Sequence, residues 1–420
     1  MGVGIWEGKK ASDMVSAGNQ IAAGIARQNL LLSQMIQVSE ATPATELAEI
    51  HRIVRAGEAP FVFDIGDQLM LNYNDGSQSY VLPWDIVHFG NVELQDGEIV
   101  PGMFLQSHYA MQGVQFDASE AIYVATAAMA PGTYYFTIGT NWGTHCVSGK
   151  SYYFTTTVEI PQGGQIVVGR NNDFYTWAAP DTAPSNWRVH TFANAASVTP
   201  LDTNLTVTEG TEGTSLGTVA SNIVYGTTNP NNLQRAGYGY NRWGQSGFRQ
   251  WLNSSAAAGG WWTAKNVFDR PPQQLSNTRG FMAGFDEAFL NIIRPVKVTT
   301  ALNTVTDSAI GASEDTYDTF FPASLEQEYV VPQASGVEGE YWEYWKQRLG
   351  LSSPQAQGGG GTNAFHIRYA YNDKTSAQSV RLRSAIRGNA YYTWFVSTTG
   401  YVYYSNATGA SRPAPACVIC

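Results

Sequence analysis

The stretch AYYTWFVSTTGYVYY, residues 390–404, places seven aromatics in the fourteen positions from Tyr391 to Tyr404, against 13% aromatics in the whole chain. Read at period two, it puts Trp394, Val396 and Val402 on one parity and Tyr391, Thr393, Phe395, Ser397, Thr399, Tyr401 and Tyr403 on the other. A strand pair with one core face and one tyrosine-rich face fits this pattern. Tyrosine gives large contact area at low entropy cost, and Ser, Thr and Asn add adaptable hydrogen bonds, so the second face has the composition of a binding surface. Spacing alone equally allows these residues to be strand formers in an all-β core.

Outward from this stretch the chain has the texture of a mainly β protein. Only 14% of its 420 residues are charged, and it holds 42 glycines. From Phe61 onward, short alternating runs (FVFDIG, LMLNY, SYVLPW, AIYVATA, TYYFTIG, SYYFTTTVEI, QIVVG) are divided by turn signals such as Asn74-Asp75-Gly76, Pro131-Gly132 and Gly163-Gly164. They predict a β-sandwich or jelly-roll-like domain over residues 61–205, with the polar segment TNLTVTEGTEGTSLG, 203–217, as a linker. Residues 206–420 read as a compact α+β domain. Within it, Trp243, Phe248, Trp251 and Leu252 mark one short helix, and Phe285, Phe289 and Ile293 another. Ser324 and Gln327 form a capping box, and Trp342, Trp345 and Leu349 share the face of a helix that Gly350 ends.

Residues 1–60 read as a helical arm. Met14, Ile21, Ile25, Leu32 and Met35 form a seam too narrow to bury a lone helix, which suits packing across an oligomer or on the chain's own next segment. Thr42-Pro43 opens a second helix with Leu47, Ile50, Ile53 and Val54 on one face, ending at Gly57. The expected assembly is a homotrimer held partly by this arm.

Several function classes fall away. A net charge of −10 with no basic run disfavours nucleic acid. No apolar run reaches the length of a membrane span, and the first residues lack the apolar core of a signal peptide, so the chain is expected to be made in the cytoplasm without inserting into a membrane. Six scattered histidines and no motif of metal-binding spacing leave no metal site or cofactor to nominate, and no catalytic constellation is legible, so no enzyme is expected. Cys146, Cys417 and Cys420 read as structural.

The segments NRWGQSGFRQWLNSSAAAGGWW (241–262), FPASLEQEYV (321–330), VRLRSAIRG (380–388) and SRPAPA (411–416) carry a resemblance. Together they resemble the variable proteins of phage diversity-generating retroelements over about residues 225–418. That resemblance implies a C-type-lectin-like C-terminal domain displaying residues rewritten by adenine mutagenesis. It implies a phage receptor-binding, tropism-determining protein of the tail-fibre kind, carried on the virion, with a bacterial cell-surface receptor (protein or glycan) as ligand and virion proteins as partners of the arm. The displayed positions are then Ile386, Asn389, Tyr391, Thr393, Phe395, Ser397, Thr399, Tyr401, Tyr403, Tyr404, Asn406 and Thr408, with Trp394, Val396, Gly400 and Val402 as scaffold. Ile386, Tyr404, Asn406 and Thr408 break the odd parity and call for loops or a change of register. The acidic and amide motifs of calcium-dependent sugar binding are missing near the C-terminus, and the cysteines do not match those of the formylglycine-generating enzymes of the same fold. Other readings of the aromatic face are packing on another virion subunit, as in a capsid or tail decoration protein, and a bacterial surface adhesin.

Overall fold

The computed structural model describes residues 43–141, 144–175, 182–219, 233–358 and 362–420. It is mainly β, 36% strand and 15% helix, arranged in several sheets.

The first sheet sets the last strand beside strands from early in the described chain, in the order Gln68–Asn74, Ser79–Glu93, Ile99–Ser107, Pro415–Ile419, Phe321–Pro322. The last strand is buried along its whole length, Ala416 to Ile419 lying opposite Gln106 to Met103. A strand with no polar side can sit only in the middle of a covered sheet. Helix Pro43–Arg55 covers it, with Ile50, Ile53 and Val54 in the same core as Trp84, Leu105 and Val418. The second half of the expected arm is thus bound into this core rather than free of it. Its thin seam, Met14 to Met35, lies outside the described residues. FVFDIG is not a strand, because Pro60 at the first turn starts a short helix, Ala59–Val62, that buries Ala59 and Val62.

Residues 123–219 form two four-stranded sheets over one core of Phe136, Phe154, Ile166, Trp187 and Val189. The segment expected as a linker contributes edge strands to both sheets. Asp202–Thr206 pairs with Trp187–Phe192, and Thr214–Val219 runs parallel to Gly132–Ile138. Its polarity reflects exposed edges, where charged and hydroxyl residues also block pairing with other chains. The first sheet meanwhile draws strands from both sides of the 205/206 division.

The short helices bury the residues their spacing singled out. Trp243, Phe248, Trp251 and Leu252 are all fully buried around Gly247–Leu252, and Trp345 and Leu349 are buried on Glu343–Leu349, which Gly350 ends at φ +62°. The capping box forms reciprocally, Ser324 N donating to Gln327 Oε1 and Gln327 N to Ser324 Oγ, both at 3.1 Å. It closes only a turn, because Tyr329 adopts φ +56° and Val330 N returns to Leu325 O.

The last sheet has the order Val402–Asn406, Tyr392–Val396, Val380–Ala385, Ala410–Pro413, Val114–Gln115. Its edge is the aromatic hairpin of Tyr392–Val396 and Val402–Asn406. Among the described residues no helix is long and apolar enough to cross a membrane.

Candidate ligand-binding face

The hairpin pairs Trp394 with Tyr404, Phe395 with Tyr403 and Val396 with Val402. Trp394, Val396 and Val402 are buried with Leu325, Val330 and Leu382, as their parity requires. Tyr404, opposite Trp394 in the register, also packs on this small core and is half-buried. It is therefore part support and part surface.

Ring contacts join eight aromatics into a continuous row. Tyr238 lies 5.1 Å from Tyr391, Tyr391 4.3 Å from Tyr392, and Tyr392 4.8 Å from Tyr404. Tyr404 stacks on Tyr403 at 4.3 Å and 20°, Tyr403 lies 5.6 Å from Tyr401, and Phe395 and Trp394 join from the neighbouring strand. Offset and edge contacts of this kind fix ring orientations and so lower the entropy lost on binding. The outermost member, Tyr403, is 38% exposed.

The twelve positions expected to face a ligand divide by what the backbone does with them. Tyr391, Phe395, Thr399, Tyr401 and Tyr403 are at least partly exposed on the row or at the hairpin tip. Asn406 and Thr408 are half-exposed at its far end. Asn389 and Ser397 shape turns: Asn389 Oδ1 accepts from Tyr391 N and Tyr392 N, and Ser397 Oγ accepts from Thr399 N and Tyr401 N. Ile386 is half-buried against the Trp394 core. Thr393 does not face solvent. It is fully buried because Arg381, in the adjacent strand, lies over it and donates to its hydroxyl. Tyr392 and Tyr238 belong to the row although neither was expected there. Tyr392 sits on the parity assigned to the core, and Tyr238 arrives from a helix some 150 positions away with no local signal.

Arg381 and Asn241 hold this face in place. Buried Arg381 donates to Ser405 O at 3.2 Å, Asn406 O at 3.2 Å, Gly409 O at 2.8 Å and Ser411 Oγ at 3.2 Å, besides Thr393. A single guanidinium fork thus ties together both hairpin strands and the return turn. Its partners are neutral oxygens, and burial pulls its pKa down to about 9. Asn241 Nδ2 donates to Ile386 O, Asn389 O and Tyr392 O, cradling the 386–392 turn, and Asn303 supports it from behind. The other polar motif residues are equally occupied. Arg242 pairs with Glu314, Arg249 and the Trp243 indole meet Asp318, and Asn253 holds the backbone at 319–320. Arg383 donates to Pro322 O and Glu338 O, and Ser384 donates to Glu338. The motif residues are scaffold, and the row they position is the surface. A groove of about 630 Å³ beside Arg242, Arg249 and Tyr317 has its two arginines already paired with carboxylates.

Behind the far end of the hairpin lies a buried acidic group. Asp117 N donates to Ala407 O, and Asp117 Oδ2 accepts from Tyr240 N, while its other oxygen has no partner. Glu120 pairs with Arg235 at 2.5 Å, and Asp269 accepts from Lys265 N. Burial pushes all three carboxyls up, with repulsion from neighbouring carboxylates adding to it for Asp117 and Glu120. Asp117 rises well above the usual range, Asp269 to about 6 and Glu120 to about 7. Groups raised in the folded state contribute stability that is full below their unfolded pKa of about 4 and is lost as pH rises through the folded values. The melting temperature should therefore fall between pH 5 and pH 8. Asp117→Asn should raise the unfolding free energy at pH 8 and leave it nearly unchanged at pH 3, below the unfolded pKa. Equal effects of the variant at both pH values would contradict this assignment.

The fold and this face define a class: a mainly β, multi-sheet chain that presents a tyrosine row on an edge hairpin. Residues 218–419 match a family described as a domain of unknown function (DUF6273), a span that takes in the motif and the whole hairpin. No curated protein and no solved structure matches the chain. Among the described residues no cluster of His, Cys, Asp and Glu could hold a metal ion. The three cysteines are buried and form no disulfide with one another, and burial holds the Cys417 thiol well above its usual range.

Proposed function

We propose that this chain is a receptor-binding protein of a bacteriophage virion, in which the hairpin 392–406 displays a diversified face that binds a ligand on the bacterial surface. The observation that carries the reading is the joined row of Tyr391, Tyr392, Tyr401, Tyr403 and Tyr404 on an edge hairpin whose main chain is held by buried scaffold residues. Such an arrangement separates surface chemistry from folding. Outward side chains can change while Arg381, Asn241, Trp394 and Gly400 keep the backbone constant. The C-terminal half is, in this reading, a C-type-lectin-like display domain. The same reading has a homotrimer held partly by the N-terminal arm, residues 1–60, which also attaches the protein to the virion.

Sequencing the gene across a propagated population tests the proposal. Variation should concentrate at the codons for Tyr391, Phe395, Thr399, Tyr401 and Tyr403 and spare those for Arg381, Trp394, Val396, Gly400 and Val402. Thr393, buried under Arg381, should tolerate only small hydroxyl residues. Variation spread evenly over the chain, or none at the exposed positions, would overturn the reading in favour of a fixed partner.

A further inference from the structure

We propose that the tyrosine row takes a neutral, hydroxyl-rich glycan chain, an inference that rests on the receptor-binding reading and names the chemistry of its ligand. The first observation is charge. From Asn389 to Ser411 there is no Asp, Glu, Lys, Arg or His, in a chain with 14% charged residues. The one guanidinium beneath the row, Arg381, is buried and committed to backbone and hydroxyl oxygens. Within residues 389–411 an anionic polymer would find no free cation, and a protein partner none of the charged groups that set register and exclude wrong partners at protein interfaces.

The second observation is shape. Successive rings from Tyr238 to Tyr403 lie 4.3 to 5.1 Å apart, so the surface is a strip rather than a socket. A strip suits a linear chain. Aromatic faces carry a negative quadrupole that attracts the weakly positive C–H faces of a sugar ring. The third observation is the hydrogen-bonding set. The phenols, together with Thr399, Ser405 and Thr408, supply neutral donors and acceptors along the strip, matching hydroxyls that cannot pair with a purely apolar surface. Burial and the neighbouring Tyr392 raise the Tyr391 phenol above its usual range, and the Tyr403 hydroxyl does the same for Tyr404, so both remain neutral donors.

The test uses fluorescently labelled full-length protein on a panel of bacterial strains, with cells of each labelled strain treated with periodate, which cleaves sugar diols, or with proteinase K. Periodate should lower labelling at least tenfold and proteinase K should not. Labelling should persist in 0.5 M salt and in EDTA, and polysaccharide stripped from the same cells should compete. Tyr403→Ala, which removes the most exposed ring, should weaken labelling at least tenfold with an unchanged melting temperature. Labelling that survives periodate and is lost with proteinase K would overturn the glycan assignment and leave the receptor-binding reading standing. Loss in high salt would point to a charged ligand and also overturn it. If no strain is labelled, the receptor-binding reading fails and this inference with it.

Discussion

Arg381→Leu should lower the unfolding free energy by about 3 kcal/mol, a loss that denaturant unfolding followed by tyrosine and tryptophan fluorescence will report. The leucine fills part of the volume and removes the cost of burying a charge, which alone would stabilise the protein. Against that gain stand Ser405 O, Asn406 O and Gly409 O, which lose their shared buried donor, Asn406 O keeping a second one in the Gly409 N–H and Gly409 O in the Ser411 N–H, both at 3.0 Å. A buried acceptor that loses its donor costs roughly 1 to 3 kcal/mol, less where a second donor stays, so the three losses together outweigh the relief. Arg381→Lys should recover little, since an ammonium cannot span acceptors on two strands and a turn at once. An Arg381→Leu protein as stable as the parent would show that the hairpin holds its register without this residue.

Gly400→Ala should have an effect of similar or greater size. Gly400 closes the hairpin at φ +74°, and a Cβ there would sit 1.8 Å from Asn363 O, with other Asn363 backbone atoms close behind. The Gly400 carbonyl also accepts from Gln355 Nε2 at 2.9 Å, and Gln355 in turn meets buried His366, so the turn cannot shift without disturbing a buried network. Left-handed strain alone costs about 1 to 2 kcal/mol, and the backbone collision adds to it, for a total of about 3 kcal/mol or more. Gly388→Ala is the matched control: nothing lies within 4 Å of its would-be Cβ and its φ is not positive. Equal stability of the two variants would contradict the packing described for the turn.

Local patterns in the sequence carried further than long-range ones. Alternation at 390–404 was enough to place Trp394, Val396 and Val402 inside and Phe395, Tyr401 and Tyr403 outside, because a regular hairpin preserves parity. It failed at Thr393, where the covering group is an arginine from another strand, while Tyr404, expected on the displayed face through a change of register, keeps the core parity because the hairpin pairs it with Trp394 without a shift. The spacing of Trp243, Phe248, Trp251 and Leu252 marked a buried helix, yet nothing local told that Asn241 beside it would hold a turn nearly 150 residues later. The polar segment 203–217 resembled a linker because an exposed edge strand and a loop share a composition. Pairing of Pro415–Ile419 with Ile99–Ser107 was likewise beyond reach, since sheet partners distant in sequence leave no periodic trace.

The central claim, that the exposed rings bind and the buried ones fold, is tested most directly by one titration. Full-length protein and its Tyr401→Ala/Tyr403→Ala variant are titrated onto cells of a labelled strain, with melting curves recorded in parallel. Tyr403 is the most exposed ring of the row, and Tyr401 borders it at the hairpin tip, where neither supports the Trp394 core. Central aromatic anchors are worth about 2 kcal/mol or more each in binding, so the account predicts apparent affinity lower by about 10² or more with a melting temperature within a few degrees of the parent. Unchanged affinity, or affinity lost only together with folding, would contradict it.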